Sequence, residues 1–444
     1  MSNYFEFVEK LFKSGEKREP PLKGVRVLEL THYIYGPMVG AVLARFGAEV
    51  VKVEPIGEGD RFRLGAVWAR MIKKANLHYL VLNANKYVIT LDARNPKARE
   101  ILFKLASKAD VFIENLRAGL ADELGLGYAK LSKISPRIIY VSCSGYGQYG
   151  PLSKAPSFDV SAQGIIGIAM KTGWPEVDEF YKLPDYFGDY FPAMVAAASI
   201  LAALYYRERT GKGQYIDISQ AESLFRIFYD ITYLSLAGEE IGKTGNVDPL
   251  AIASGIFATS DGKFVAIAIM DEKQLEALSK AMNTDLLNTC KGMLRSRECV
   301  SELNNIISKW VSSKTLDEVM EHAKTYGFPA APVLRDLDVY KDPWRWERGS
   351  IIEFNDRVYG RVHIPNLPIH LSATPPTVKW LGRPVGYHNR LVLKKWLGLT
   401  DEEIKRLEDE GVIGYWDQAP GMCPPDAWDI GNDPVFKGER DEYE

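Results

Sequence analysis

Glutamine, histidine and cysteine are all scarce in this chain of 444 residues: it carries six, six and four of them. The cysteines, Cys143, Cys290, Cys299 and Cys423, form no C-x-x-C pair and no even-spaced framework. Reduced thiols and a cytoplasmic location are the expectation. The histidines, at 32, 78, 322, 363, 370 and 388, show no metal-ligand spacing, so no metal site is expected. The shortage of glutamine points towards a heat-adapted source. Charge of either sign is not in excess. With 55 basic and 58 acidic residues the net charge is −3, and no global basic field exists to hold nucleic acid or an anionic membrane. Long apolar runs are missing too. The longest, Ala193–Tyr206, has 14 residues where a span needs about 20, so it reads as a buried helix. The opening segment MSNYFEFVEKLFKSGEKREP has no apolar centre and is not expected to act as a secretory signal.

What is present is ordinary globular material, 46% hydrophobic and 25% charged, with length enough for two or three domains. Val25–Leu30 reads as a strand, then a glycine turn (Gly36, Gly40), a helix over Met38–Phe46 and a second strand, Glu49–Glu54. This βαβ unit implies parallel strands and a right-handed crossover. Alternation continues with strands at Tyr87–Leu91, Val111–Glu114 and Ile138–Ser142 and helices at Pro96–Ala106 and Lys130–Ile134. The pattern predicts an α/β fold with helices on both faces of a sheet. After the turn TGKGQ come a strand, Tyr215–Ser219, and a helix, Gln220–Leu236. The character changes near 240. Two runs flanking SDG predict a hairpin, and three helical segments follow near Glu272–Met282, Arg297–Ser312 and Thr315–Thr325. Pro329–Leu334 returns to strand character, and Thr400 with Glu403 predicts a capping box at the start of a helix over Asp401–Asp409. The Pro-rich, acidic tail is expected to lie on the surface or to be disordered.

Asp189 stands out chemically. It follows a glycine, is flanked by Tyr186, Phe187, Tyr190 and Phe191, and precedes a small-apolar helix. A carboxylate deprived of water has a raised pKa and is a stronger nucleophile. An N-cap or structural role is the alternative. Of the neighbouring acids, Asp185 follows a proline in a turn-like LPDY, and Asp159 is a competing carboxylate. GYGQYG (Gly145, Gly147, Gly150) has the form of a dinucleotide fingerprint, but Pro151 and Pro156 follow where a helix would have to begin, which favours a glycine turn. Glu54 is placed either to bind a ribose or to be a solvated strand end. The cluster Arg61, Arg63, Arg70, Lys73 and Lys74 either meets phosphates or is a solvated face.

The run ILAALYYRERTGKGQYIDISQAES behind Asp189 resembles a signature of the family III CoA-transferases, the CaiB/BaiF group that includes formyl-CoA transferase, carnitine CoA-transferase and alpha-methylacyl-CoA racemase. Other pieces follow in the family order between about Pro21 and Ile413, among them FGAEVVKVEPIGEGDRFR, ADVFIENLRAGLADELGLGY, PRIIYVSCSGYGQYGP and RPVGYHNRLVLKKWLGLT. The resemblance implies a Rossmann-like large domain from 1–224 and 327–415, an α+β small domain at 225–326, a tail at 416–444, and an interlocked homodimer. It implies coenzyme A as a substrate with no tightly bound cofactor and no metal. Partners would be an acyl-CoA and a carboxylic acid, with no nucleic acid or membrane. Asp189 would be the nucleophile. CoA contacts would map onto His32, Tyr33 and Ile34; onto Leu91, Ala93 and Arg94 near the adenine and phosphates; onto Asn115, Leu116 and Leu124; and onto Ser144, Gly145 and Tyr146 along the pantetheine.

Departures from the pattern sharpen this. Ile34 stands where formyl-CoA transferase has a glutamine, and Pro55 and Glu123 stand where arginines are common, so phosphate grip is expected to be rearranged. GKTGNVDPLAIASG has no clear glycine-rich covering loop, which argues against oxalate or formate. The apolar Ile34 and the many aromatics suggest an apolar or medium-sized acyl group. Racemases of the family carry a histidine where this chain has Phe158, which exchanges no proton. Transfer is therefore favoured over racemisation or isomerisation, and over a non-catalytic CoA-binding role that would need no Asp189.

Overall fold

The computed structural model describes residues 18–228, 230–290 and 293–443. The opening segment, read above as lacking a secretory signal, lies outside them up to residue 17. The chain divides into two compact units.

The first unit holds the described residues up to Ile166, Pro184–Phe228 and those from Trp346 onward. Its frame is a sheet of six parallel strands: β1 (Arg26–Leu30), β2 (Glu49–Glu54), β3 (Lys86–Thr90), β4 (Val111–Glu114), β5 (Ile139–Ser144) and β6 (Gln214–Ser219). Their order is β3-β2-β1-β4-β5-β6, that of a dinucleotide-binding sheet. Successive side chains serve opposite faces. Leu28, Val51, Phe112 and Tyr140 enter one core cluster, and their neighbours Val27, Val50, Val111 and Ile139 enter the other. Strands buried on both faces read as continuous apolar runs, which is why they were legible.

Helix α1 (Tyr35–Arg45) begins earlier than expected, and Gly36 and Gly40 lie inside it rather than in a turn. Both are packing glycines. A Cβ on Gly40 would come within 1.7 Å of Glu29 Oε2, and one on Gly36 within 2.8 Å of Thr31 and 2.9 Å of Asn115. Helix α2 (Pro96–Lys108) is capped by Asn95. Helix α3 (Asp159–Ile165) is followed by α4 (Phe187–Thr210) and α5 (Gln220–Phe225). Among the described residues α4 alone is long and apolar enough to cross a membrane. Its stripe of Ala193, Ala196, Ala197, Ile200 and Ala203 is instead packed into the core with Val39 and Val42 of α1.

The second unit comprises Gly167–Leu183 and Tyr229–Arg345. It contains α6 (Asp230–Ala237), the antiparallel hairpin of β7 (Ala253–Ala258) and β8 (Phe264–Ile269), and helices α7 (Glu272–Met282), α8 (Arg297–Ser312) and α9 (Leu316–Tyr326). The PAAPVL strand, β9 (Ala330–Pro332), falls by the family resemblance in the return of the large domain from 327, but it pairs with β8. The helix expected over Gln220–Leu236 is two, α5 and α6, in different units. The reading of all cysteines as reduced is corrected here, since Cys290 and Cys299 form a disulfide with their Cα atoms 5.5 Å apart. Cys299 sits in the first turn of α8, and the chain folds back to place Cys290 beside it, a closure that spacing does not reveal. Cys143 and Cys423 are free and buried.

The return to the first unit adds the hairpin of β10 (Ile351–Asp356) and β11 (Gly360–Pro365), then α10 (Asn389–Leu397) and α11 (Asp401–Asp409). The Thr400/Glu403 capping box is present. His388 Nδ1 accepts from the Val88 N–H at 2.8 Å, and Asn389 Oδ1 from the Thr90 N–H at 2.8 Å, which finishes the open edge of β3. The tail is not loose. Glu442 accepts from Arg383 Nε at 2.7 Å and also pairs with Arg357, while Asp433 accepts from the Tyr387 hydroxyl at 2.8 Å. Burial alone would raise the Glu442 carboxyl, but Arg383 and His388 hold it well below the usual carboxylate range.

Candidate active site

Asp189 is the third residue of α4, and its N–H donates to the Tyr186 carbonyl at 2.8 Å. It is not the cap, a place held by Tyr186 in a left-handed conformation (φ 57°), directly after Asp185 (φ 54°). Two successive non-glycine residues there store backbone strain. Asp159 holds the turn in place, its Oδ1 accepting from the Gly188 N–H at 2.7 Å and from Gln163 Nε2 at 2.7 Å. Gly188 allows this, since a Cβ there would come within 2.8 Å of that oxygen. Asp159 therefore positions the turn. Gln220, at the start of α5 and buried, donates from Nε2 to Asp189 Oδ1 at 2.6 Å. Sequence reasoning missed it. The available signal was its place at the carboxyl end of β6, where ligands gather in such sheets. The aromatics expected to strip Asp189 of water do not enclose it. Asp189 is half-buried, Tyr186 is exposed, and Tyr190 bonds His78.

The sheet's order reverses between β1 and β4, and the loops after these strands meet there. The His32 N–H donates to Asn115 Oδ1 at 2.9 Å, and Asn115 Nδ2 returns a bond to the His32 carbonyl at 2.8 Å. Next to it Tyr33 is left-handed (φ 61°), its N–H held by Asp60 Oδ1 at 2.9 Å. Lys52 supports this turn from below, donating to the Thr31 carbonyl at 2.8 Å and pairing with Asp60 at 2.9 Å. Both side chains are fully buried. Burial would push the Asp60 carboxyl up, but Lys52 and the Phe62 and Tyr33 N–H groups bring it below its ordinary value. Burial likewise opposes the charge of Lys52, and Asp60 and Glu29 more than restore it. Lys86 also binds Glu29, at 2.8 Å, and burial brings its pKa down to about 8.

Two cavities open on this crevice and share His32, Tyr33 and Leu116. The first, about 330 Å³, is also lined by Leu91, Ala93, Arg94 and Leu124, with Arg61 and Asp92 beside them. The second, about 320 Å³, is lined by Asn115, Ser144, Gly145, Phe158, Lys154 and Cys143, with Asp189 and Gln220 in its wall. Two of the anticipated contact residues line neither. Ile34 is buried in a cluster with Phe62 and Tyr79, and Tyr146 is half-buried just past Gly145. The apolar character of Ile34 thus says nothing about an acyl group. Gly145 brings its backbone against Ser157, where a Cβ would come within 2.2 Å, and no helix follows GYGQYG before Asp159.

Glu54 is not a solvated strand end, though it lines the first cavity. It is buried, bonded by Arg63 Nε at 2.9 Å and by the Tyr79 hydroxyl at 2.6 Å. That removes Arg63 from any phosphate role, while Lys74 pairs with Asp426 and Lys73 donates to the Tyr359 carbonyl. Arg61 and Arg94 remain at the first cavity, Arg94 in an exposed pair with Asp92. Glu123, standing where an arginine was anticipated, pairs with Arg117 at 2.6 Å. His32 has its pKa lowered by burial, and burial pushes the Cys143 thiol up, so Cys143 is no thiolate competitor to Asp189. Behind the wall Glu114 accepts from Ser142 at 2.5 Å and from the Leu116 N–H at 2.8 Å, and burial raises its pKa to about 7.

A family model described as CoA-transferase family III matches residues 22–389. The chain belongs to CoA-transferase family III. Among the relatives of this CoA-transferase is a succinyl-CoA–D-citramalate CoA-transferase of Chloroflexus aurantiacus, 34% identical over 405 residues, 90% of this chain and 100% of its own length. A succinyl-CoA:glutarate CoA-transferase of Mus musculus is 30% identical over 406 residues, covering 88% of this chain and 90% of its own. The crystal structure of a CaiB/BaiF family protein from Brucella suis matches with a TM-score of 0.73 at 28% identity, over 85% of this chain and 100% of that one.

Proposed function

We propose that this CoA-transferase moves CoA from a dicarboxylic acyl-CoA, with succinyl-CoA the first candidate, to a second carboxylic acid through covalent intermediates on Asp189. One observation carries the reading: a carboxylate on a fixed helix turn lines a cavity that shares His32, Tyr33 and Leu116 with a second one. CoA is long enough to need both. Its nucleotide end would take the first cavity, near Leu91, Ala93, Arg94 and Leu124. The pantetheine would pass Asn115, Ser144 and Gly145 to bring the thioester to Asp189. The carboxylate attacks the thioester carbonyl, CoA thiolate leaves, and an aspartyl anhydride forms. CoA thiolate then attacks the aspartyl carbonyl and expels the donor acid, leaving an aspartyl-CoA thioester. The acceptor carboxylate attacks that thioester, and CoA thiolate recaptures the new acyl group. Splitting one hard exchange into such steps is what nucleophilic catalysis supplies. Backbone N–H groups at the Gly145 turn would steady the oxyanion on the acyl carbon. The dicarboxylic substrate is argued from the printed activities of the relatives, several of which use succinyl-CoA.

Phe158 favours transfer over racemisation. Its exposed ring packs on Tyr33 at 5.5 Å in the wall of the Asp189 cavity, a position from which it relays no proton. We also infer an interlocked homodimer. Helix α6 has no buried residue and exposes Ile231, Tyr233, Leu234 and Leu236, an apolar surface that a second copy would cover. Incubation with succinyl-CoA and a panel of dicarboxylic acids should yield new thioesters by mass spectrometry, and hydroxylamine should trap Asp189. Rapid deuteration alpha to the thioester without an acceptor acid would overturn the reading in favour of racemisation. Light scattering should give a dimer mass that persists on dilution.

A further inference from the structure

We propose that Gln220 is a second catalytic residue, which holds the attacking carboxylate before reaction and then stabilises the oxyanion that forms on Asp189 itself. This rests on the proposed covalent role of Asp189. The amide Nε2 of Gln220 lies 2.6 Å from Asp189 Oδ1, and its Oε1 accepts from the Ser157 hydroxyl at 3.2 Å. The ionised carboxylate only accepts, so the amide must turn its N–H₂ to Asp189, which leaves Oε1 to accept from the Ser157 hydroxyl. Gln220 is buried, seated by the Ser219 cap at the start of α5. It is pre-set, and its dipole needs no reorganisation during reaction.

The two oxygens of Asp189 then have different fates. Oδ2 attacks the acyl carbon and becomes the bridging oxygen of the anhydride. Oδ1, still held by Gln220, becomes the aspartyl carbonyl oxygen. When CoA thiolate attacks Cγ, the C=O pair moves onto Oδ1, which is the oxyanion that the Gln220 N–H meets. Collapse re-forms the carbonyl and breaks the Cγ–Oδ2 bond, so the donor acid leaves carrying Oδ2. The acceptor carboxylate attacks the same Cγ next, and the charge again falls on Oδ1 before CoA thiolate departs. One donor thus serves both attacks at the aspartyl carbon, distinct from the groups that serve the acyl carbon.

The test compares the full-length protein with Gln220→Leu and Gln220→Glu, with Asp189→Ala alongside. Gln220→Leu keeps the volume and removes the donor. Its kcat should fall roughly 10²–10³-fold, with KM for acyl-CoA within about threefold. The acid limb of its kcat/KM profile should move to higher pH, because the carboxylate has lost a bond to its charged form. Gln220→Glu places a second carboxyl against Asp189, and such a pair shares one proton. That variant should work at acid pH, where the shared proton bridges the pair, and lose activity through a new alkaline limb. A merely structural role predicts no such limb. CoA-induced thermal shifts equal to wild type establish that each variant folds and binds. If Asp189→Ala is inactive while Gln220→Leu keeps kcat and pH profile, the role of Gln220 alone is overturned. If Asp189→Ala keeps full activity, the covalent reading falls and this one falls with it.

Discussion

Two regions of the first unit handle buried charge in opposite ways. Beneath the first βα turn, Glu29, Lys52, Asp60, Lys86, Glu54 and Arg63 are all removed from water and paired in two groups, Glu29 and Asp60 with Lys52 and Lys86, and Glu54 with Arg63. Across the same crevice Asp189 is half-buried, at a cavity wall, and beside an exposed Phe158. The first region fixes the left-handed Tyr33 and the His32–Asn115 clasp, and its charges are spent on geometry. The second leaves a carboxylate in the wall of a cavity. Position is secured by charges taken out of water, and the carboxylate proposed to react is the less completely enclosed one.

The comparison predicts that activity and stability separate by region. Asp189→Ala should abolish CoA transfer, by roughly 10³-fold or more, while costing only about 1–2 kcal/mol of stability for the Gln220 amide left without its acceptor. Thioester assays and thermal melts check both halves, and a large loss of stability would erase the distinction. Asp60→Ala should do the reverse. Stranding the buried Lys52 ammonium should cost about 3–5 kcal/mol, seen as a lower denaturant midpoint. Replacing both partners with apolar residues should recover much of that loss while CoA binding stays weak, because Tyr33 is no longer held. Glu114 offers a smaller test behind the wall. Its pKa is raised to about 7, so its contribution to stability is complete below the usual glutamate range and is lost as pH rises through about 7. Glu114→Gln should abolish that loss, making the variant gain about 2–3 kcal/mol relative to wild type between pH 5 and pH 8 in denaturant titrations.

What was legible in the sequence was local. Strands β2 and β4 and helices α7, α8 and α11 lie where their periodicity placed them, because an apolar run or a capping box contains its own boundaries. Asp189 and the loops after β1 and β4 were legible through the resemblance to a family. What was not legible depends on closures between distant segments. β9 carries no mark that its partner is β8, and the two cysteines carry none of their bond. Glu54 shows nothing of Arg63 and Tyr79, whose side chains bury it. Gln220 reads as a helix start until the fold brings it from 31 residues away to Asp189.

The finishing of β3 by His388 and Asn389 has a consequence for biosynthesis. Val88 is separated from His388 by 300 residues, and Thr90 from Asn389 by 299. At typical elongation rates that interval takes roughly 15–60 s. Throughout it a strand of Lys86–Thr90 on a ribosome-bound chain has an open edge, available to any neighbouring chain in the polysome. The second unit, encoded almost wholly between the two halves, emerges during this wait. That exposure is set by gene order rather than by the finished protein, and nascent chains arrested before His388 are the species in which it lasts.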